Sequence, residues 1–144
     1  MKKFLLALVL FAASAATAFA AQNPCVGRWK PDAAKSNFVE VEDTLIISSP
    51  SAGILRWEYA AIKFKMQGNP DGSNMAISYP DMPKGLTESA TMPTPRKLAY
   101  PVKVDGKLVQ HGTDGLSANG DTLTAVSWTV AKNSKKRIEV FHRQ

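Results

Sequence analysis

The residues able to bind a metal ion or exchange protons near neutral pH are few and far apart in this chain. There are two histidines, His111 and His142, and a single cysteine, Cys25. A zinc site usually takes three or four such ligands at short, regular spacings. One thiol and two distant histidines do not meet this requirement, so the sequence predicts no metal site and ordinary structural histidines.

Covalent catalysis finds no support in the sequence either. A nucleophilic serine or cysteine needs a base held nearby and an oxyanion hole, but no Gly-x-Ser-x-Gly segment occurs, and Cys25 has no recognisable partner. The acidic run Glu40–Asp43 is typical of a solvated approach to a strand, and no Gly-rich loop precedes a helix to bind phosphate. We therefore predict no catalytic residues, no cofactor and no enzymatic activity, with a histidine acid or base as the least favoured alternative.

The charge distribution bears on possible partners. The 144 residues include 18 basic and 12 acidic side chains, a net charge of +6. The positive charges are scattered except in Lys132–Arg137, "KNSKKR", which is more typical of a solvated hairpin loop than of an anion or membrane patch. A nucleic-acid-binding domain concentrates its basic residues. The sequence therefore predicts no nucleic-acid partner.

Aromatic side chains on alternating segments are the remaining candidates for a binding function. If the apolar faces of these segments point inward, the aromatic side chains converge on one interior and could bind a small apolar molecule. The alternative is a filled core, which has the same alternation. The candidate ligand-binding residues are Trp57, Tyr59, Phe64, Tyr79, Tyr100 and Trp128.

The N-terminus has the three-part order of a secretory signal. Lys2 and Lys3 precede an apolar run that ends in the small-x-small sequence of residues 18–20, so residues 1–20 are predicted to be a cleaved signal peptide. The run is too short to span a bilayer, so we expect no membrane insertion and an exported protein, periplasmic or secreted. "AQNP" separates Cys25 from the apolar run. We therefore expect a buried, inert thiol rather than a lipid anchor.

The dominant signal in the rest of the chain is period-two alternation broken by turns. The alternation changes phase at Ala60-Ala61, which predicts a bulge or sharp bend. Residues 69–74, "NPDGSN", are typical of a turn. Four prolines between residues 80 and 95 indicate a loop around one edge strand, "LTESATM".

The second half of the chain contains the clearest hairpins. Asp105-Gly106 and Asn119-Gly120 suit tight turns between alternating segments, and a third hairpin is expected at "KNSK". No segment has helical periodicity beyond a short turn at residues 31–36, where Asp32 could cap. Residues 21–144 are therefore predicted to form one all-β domain, an up-and-down antiparallel barrel of about eight strands, with a sandwich as the alternative.

Gly27-Arg28-Trp29, directly before the predicted strands, resembles the Gly-x-Trp motif of the lipocalin and calycin barrels. In those families the tryptophan plugs one barrel end and an arginine from the last strand lies across it. The resemblance implies that Gly27, Trp29 and Arg143 (or Arg137) close this barrel. The segments "VGRWKPDAAKSNF", "VDGKLVQHGTDGLSANGDTLT" and "FHRQ" look like small exported bacterial lipocalin-like proteins of undefined activity. The middle of the chain, residues 39–96, matches weakly.

Two functions from different classes remain open. The first is an exported non-enzymatic barrel that binds a small apolar ligand in its interior. The second is a packed barrel that acts as a protein-interaction module of the cell envelope, without a small-molecule ligand. A concave interior pocket distinguishes the first from the second.

Overall fold

The computed structural model describes residues 22–144, which form eleven antiparallel β-strands in one sheet and no helix. The predicted signal peptide, residues 1–20, lies outside the described residues. The strands are β1 (Gly27–Pro31), β2 (Leu45–Ser51), β3 (Ile54–Tyr59), β4 (Phe64–Gly68), β5 (Asp71–Asn74), β6 (Ala76–Ser78), β7 (Leu86–Thr94), β8 (Lys97–Val104), β9 (Lys107–Leu116), β10 (Thr122–Thr129) and β11 (Arg137–Arg143).

The sheet curls into a nearly closed barrel. Its order is β5-β7-β8-β9-β10-β11-β1-β2-β3-β4-β6, so the last strand returns to pair with the first. The two ends of this order, β5 and β6, are consecutive in the chain and separated only by Met75, whose amide N donates to the Glu88 carbonyl O at 2.8 Å. Residues 71–78 thus form one bent segment that pairs with β7 in its first half and with β4 in its second.

The predicted all-β antiparallel barrel is therefore confirmed, but the predicted number of about eight strands is wrong. One of the additional strands is β5, which lies where the composition of "NPDGSN" indicates only a turn. These residues are exposed and have no apolar alternation. They are extended because pairing with β7 satisfies backbone groups at the edge of the barrel.

The phase change at Ala60-Ala61 marks a hairpin turn rather than a bulge. Tyr59 lies opposite Phe64, and the Lys63 amide N donates to the Ala60 carbonyl O at 3.1 Å. Lys63 has a φ of 53°, in the left-handed region. Because the chain reverses direction here, the inward-facing side chains are at odd-numbered positions in β3 and can be at even-numbered positions in β4.

The proline-bearing stretch also differs from its prediction. Its strand, β7, pairs with β5 on one side and β8 on the other, so it is not an edge strand. Pro93 lies inside β7, where the pairing register with β8 shifts between Thr91 and Thr94. Proline lacks an amide donor, and an irregularity in the ladder is where a strand accommodates it.

The tight turns of the second half lie where the sequence indicates them. Asp105 and Gly106 have φ of 49° and 76°, the two positive values that a type I′ turn requires, and join β8 to β9. Residues 117–121 join β9 to β10, and residues 130–136 join β10 to β11. These turns alternate between the two ends of the barrel, and the two ends differ in how they are covered.

Candidate ligand-binding cavity

One end of the barrel is closed by Trp29. Its side chain is fully buried, and its indole Nε1 donates to the Cys25 carbonyl O at 2.9 Å. Trp29 on β1 lies opposite Arg143 on β11 and opposite Leu45 on β2, the two strands that flank β1, and its buried side chain points into the barrel. The N-terminal residues before β1 thus form the floor of the barrel.

Arg143 holds this floor in place. Its guanidinium carbon lies 4.3 Å from the centre of the Trp29 ring, a cation–π contact. Its three nitrogens donate to the carbonyls of Gly120, Val26 and Pro24 at 2.8, 2.8 and 2.7 Å. Arg137 lies elsewhere, 4.5 Å from the Phe38 ring. Arg143 is therefore the arginine that links the last strand to the first.

Gly27 is positioned for this arrangement. A Cβ atom at residue 27 would collide with the Nη1 atom of Arg143, so only glycine leaves room for the guanidinium. Cys25 is buried beside the same floor, and burial raises the pKa of its thiol.

Above the floor lies a cavity of about 330 Å³. It includes the aromatic side chains Trp57, Tyr59, Phe64, Tyr79 and Tyr100, from four different parts of the chain. Five of the six predicted ligand-binding residues therefore meet at one cavity. Its apolar wall is completed by side chains that include Leu45, Met66, Leu98, Leu123 and Phe141.

Trp128 is the sixth predicted residue and does not line this cavity. On β10, Leu123 and Ala125 line the cavity. Trp128 is an odd number of residues away from both, so its side chain lies on the other face of the strand. Its ring instead stacks on His111 with centroids 5.6 Å apart, and Lys136 Nζ lies 5.3 Å from its centre. Trp128 and Lys136 border a separate cleft beside the start of β11.

The aromatic side chains form a layer toward the open end of the barrel. Phe64 lies between Tyr59 and Tyr79, with ring centroids 6.0 and 5.9 Å apart. Deeper in, the Tyr100 ring occupies the space where a side chain at Gly112 would be. The absence of a side chain at residue 112 therefore allows Tyr100 to lie flat against β9 inside the barrel.

Four carboxyl groups also line the cavity, and none of them was predicted from the sequence to do so. Asp114 on β9 and Glu139 on β11 both lie opposite Ala125 on β10, so they share one row of the inner face. Glu88 reaches the cavity from β7, and Glu40 lines it from the segment before β2. The signal was present in "RIEVFHR", because the parity that buries Phe141 also places Glu139 inside.

Burial raises the pKa of three of these carboxyls. The pKa of Asp114 is raised to about 7 by desolvation and then by the charge of Glu139. Desolvation, followed by the charges of Asp114 and Glu40, raises the pKa of Glu88 to about 7. Desolvation also raises the pKa of Glu139 to about 7, although its Oε1 accepts a hydrogen bond from the Glu40 amide N at 3.1 Å.

Two residues that line the cavity, Trp57 and Asp114, each have a buried polar atom without a hydrogen-bond partner among the described residues. One is Trp57 Nε1, a donor on a side chain that is only 5% exposed. The other is Asp114 Oδ1, an acceptor. Unpaired buried polar atoms typically cost about 1–3 kcal/mol each. The interior is therefore left with a donor and an acceptor that the protein itself does not satisfy.

The histidines take no part in this cavity. His142 Nε2 lies 2.8 Å from Asp32 Oδ2 on the barrel's outer side, and this hydrogen bond lowers the pKa of Asp32. Across residues 22–144, no three Asp, Glu, His or Cys side chains converge in a way that could hold a metal ion. In the same residues, no helix has the length and apolar character that crossing a bilayer requires.

Comparison of the chain with protein-family models and with curated proteins finds no match.

Proposed function

We propose that this protein is an exported, non-enzymatic binding protein that holds a small, largely apolar molecule inside its barrel. The observation that carries the proposal is the cavity of about 330 Å³, whose wall is mostly aromatic and aliphatic with a few convergent polar groups. This composition is typical of small-molecule sites, which range from about 300 to 1,000 Å³. The volume supports a small ligand rather than a lipid with long chains.

The floor and the opening of the barrel support the same function. Trp29 and Arg143 seal one end, so a ligand enters from the other. Ile62, at the turn between β3 and β4, is 42% exposed and also lines the cavity, as does the exposed Glu40. The opening of the barrel therefore has one exposed apolar side chain and one exposed charged side chain.

Export is part of the proposal and rests on the signal-like pattern of residues 1–20. Fractionation of cells that express the full chain tests it. We expect the protein in the periplasm or the medium, shortened at its N-terminus. A full-length protein in the cytoplasm contradicts export and leaves ligand binding to be judged separately.

Native mass spectrometry tests ligand binding directly. The full chain is expressed in bacteria, purified from the envelope under native conditions, and weighed before and after denaturation. We expect a small-molecule mass that is lost on unfolding, or a complex when 1-octanol is added to the bare protein. If the protein retains no small-molecule mass and forms no complex with octanol, ligand binding is contradicted and the packed interaction module is favoured.

A variant that fills the cavity tests where the ligand binds, and a second variant with the same added bulk is its matched control. Ala125 lies in the inner row between Asp114 and Glu139, so Ala125→Phe places a ring inside the cavity. Thr124→Phe adds the same bulk to the neighbouring position, which has the opposite parity. Circular dichroism shows whether each variant folds. We expect Ala125→Phe to abolish binding and Thr124→Phe to retain it.

A further inference from the structure

We propose that the ligand is a cationic amphiphile, an ammonium group on a small apolar body, bound with its positive end against Asp114 and Glu139. This inference rests on the proposed function, because it assigns the chemical class of the molecule in the same cavity. It depends on which charges face the cavity and which polar atoms there lack partners.

The charges that face the cavity all have one sign. Glu88, Asp114 and Glu139 reach it from three strands, and Glu40 adds a fourth carboxyl from the segment before β2. No lysine, arginine or histidine in residues 22–144 lines it. The other titratable groups there are Tyr59, Tyr79 and Tyr100. Buried carboxyls are usually paired with a cation or hydrogen-bonded, so the protein leaves this cluster without its counter-charge.

The position of Asp114 points to where the cation binds. Leu98 on β8 and Ala125 on β10 lie directly opposite it, so apolar side chains flank it across both neighbouring strands. Its Oδ1 atom is buried without a hydrogen-bond donor. Glu139 follows in the same row beyond Ala125, the smallest side chain among the three. An ammonium group over Ala125 would lie between two carboxyls and could donate to both.

The opposite wall supplies a second unsatisfied group. Trp57 on β3 is separated from β9 by several strands in either direction around the sheet, and its Nε1 has no acceptor. The Trp57 side chain is nine-tenths buried and lines the cavity. A ligand with an oxygen acceptor at the far end from its ammonium group would satisfy both walls. Between them, the aromatic and aliphatic side chains contact the apolar body.

The same arrangement excludes anionic amphiphiles. A carboxylate ligand would add negative charge to a desolvated space that already holds carboxyl groups, and would lack a basic side chain to pair with. Repulsion of a wrong partner is as effective a source of specificity as attraction of the right one. The carboxyls therefore select amines over fatty acids of the same size.

Three probes with the same octyl tail test the charge preference. Octylammonium, 1-octanol and octanoate are titrated by isothermal calorimetry into the full chain, processed as the cell leaves it, at pH 7.5. We expect octylammonium to bind at least about tenfold more tightly than octanoate. A tenfold ratio of affinities has the same free energy as a change of one unit in a pKa. If octanol and octanoate both bind at least as tightly as octylammonium does, the inference is overturned and the proposed function remains intact. Binding of none of the three overturns both.

Isosteric variants locate the charge effect. Asp114→Asn and Glu139→Gln remove one charge each with little change in volume. Glu58→Gln is the matched control, because Glu58 is also on the barrel but pairs with Lys65 at 3.4 Å. We expect the two interior variants to reduce octylammonium affinity at least about tenfold and to leave octanol affinity within a factor of about two, and the control to change neither. Equal losses for octanol and octylammonium would overturn the assignment of the charge contact.

Proton release gives a readout that a merely structural role would not produce. The interior carboxyls are partly protonated in the empty cavity near pH 7, because their pKa is raised to about 7. A bound ammonium favours their ionised form, so its binding releases protons and octanol binding does not. Calorimetry in buffers of different ionisation enthalpy measures this difference. No proton release with octylammonium between pH 6.5 and 7.5 contradicts the inference.

Discussion

Removal of the Arg143 guanidinium should destabilise the whole barrel through its floor. Arg143→Ala deletes three hydrogen bonds to carbonyls at 2.7–2.8 Å and the contact over Trp29 at 4.3 Å. Hydrogen bonds to charged groups contribute about 1.5–3 kcal/mol each, and a cation–π contact about 0.5–2 kcal/mol. Because water can reach the released carbonyls in part, we expect the free energy of unfolding to fall by about 3–5 kcal/mol.

Arg143→Lys separates charge from geometry. Lysine keeps the positive charge but cannot place three donors in a planar fork, so we expect about half the loss seen with alanine. Arg28→Ala is the matched control on β1, because the Arg28 side chain is exposed and next to Trp29 in sequence. We expect the control to change stability by less than about 0.5 kcal/mol.

The assay is urea unfolding followed by tryptophan fluorescence and by circular dichroism at equilibrium, with both signals fitted together. A loss below about 1 kcal/mol for Arg143→Ala, or a loss equal to that of Arg28→Ala, would refute the role of Arg143 as the link between the two ends of the chain.

Five further outcomes are expected from the structure. Gly112→Ala should destabilise the protein by about 1–3 kcal/mol in thermal unfolding, because the new methyl group displaces the Tyr100 ring; an unchanged melting temperature would contradict this packing. Since the interior carboxyls have pKa values of about 7 when folded and about 4 when unfolded, the folded state binds more protons between these values, and stability should fall as pH rises from 5 to 8. Asp114→Asn should then stabilise the empty protein at pH 8 by about 2–4 kcal/mol and flatten that dependence, and a destabilised variant would refute the desolvation argument. Cys25 should resist a thiol reagent until the protein is unfolded in urea, because it is buried with a raised pKa; rapid labelling of the native protein would place it at the surface. Trp128→Ala should leave octylammonium affinity unchanged, since Trp128 lies outside the cavity, and a calorimetric loss of binding would move the site to the outer cleft.

The sequence was sufficient where local chemistry determines the backbone. Asp105-Gly106 adopts positive φ at both positions, and the alternating segments on either side pair across it. Such turns depend on a few adjacent residues and need no knowledge of the rest of the fold. This is why the antiparallel barrel could be predicted although its number of strands could not.

The predictions from sequence were wrong for segments whose structure depends on partners that are distant in the chain. Residues 71–74 have the composition of a turn, yet they form β5 because β7 supplies hydrogen-bond partners there. Pro93 usually marks an edge, yet it lies in a strand paired on both sides because the register with β8 shifts around it. Neither partner can be read from the residues themselves.

The candidate site could be predicted only in its apolar part. Alternation brings Trp57, Tyr59 and Tyr100 to the interior, but it assigns Trp128 to the wrong group because parity on β10 is fixed by Leu123 and Ala125. The interior carboxyls were missed because polar residues are assigned to the outer face by default. A functional cavity departs from that default, since its polar groups are oriented toward a ligand rather than toward water.

Asp114 also connects function with stability. Its carboxyl is costly in the empty barrel, and the same carboxyl is proposed to receive the ligand's ammonium group. A site that is strained until it is occupied is a common reason why stabilising substitutions reduce activity. Asp114→Asn should therefore raise stability and lower amine affinity together, a combination that a purely structural aspartate would not produce.

The most direct test of ligand binding in the barrel interior is an NMR measurement of intermolecular nuclear Overhauser effects between octylammonium and the methyl groups of the full, cell-processed chain. We expect contacts from the octyl tail to Leu98 on β8 and to Leu123 and Ala125 on β10, which line the cavity. Contacts confined to residues around Trp128, or no contacts at a ligand concentration that saturates the calorimetric signal, would contradict a ligand site inside the barrel.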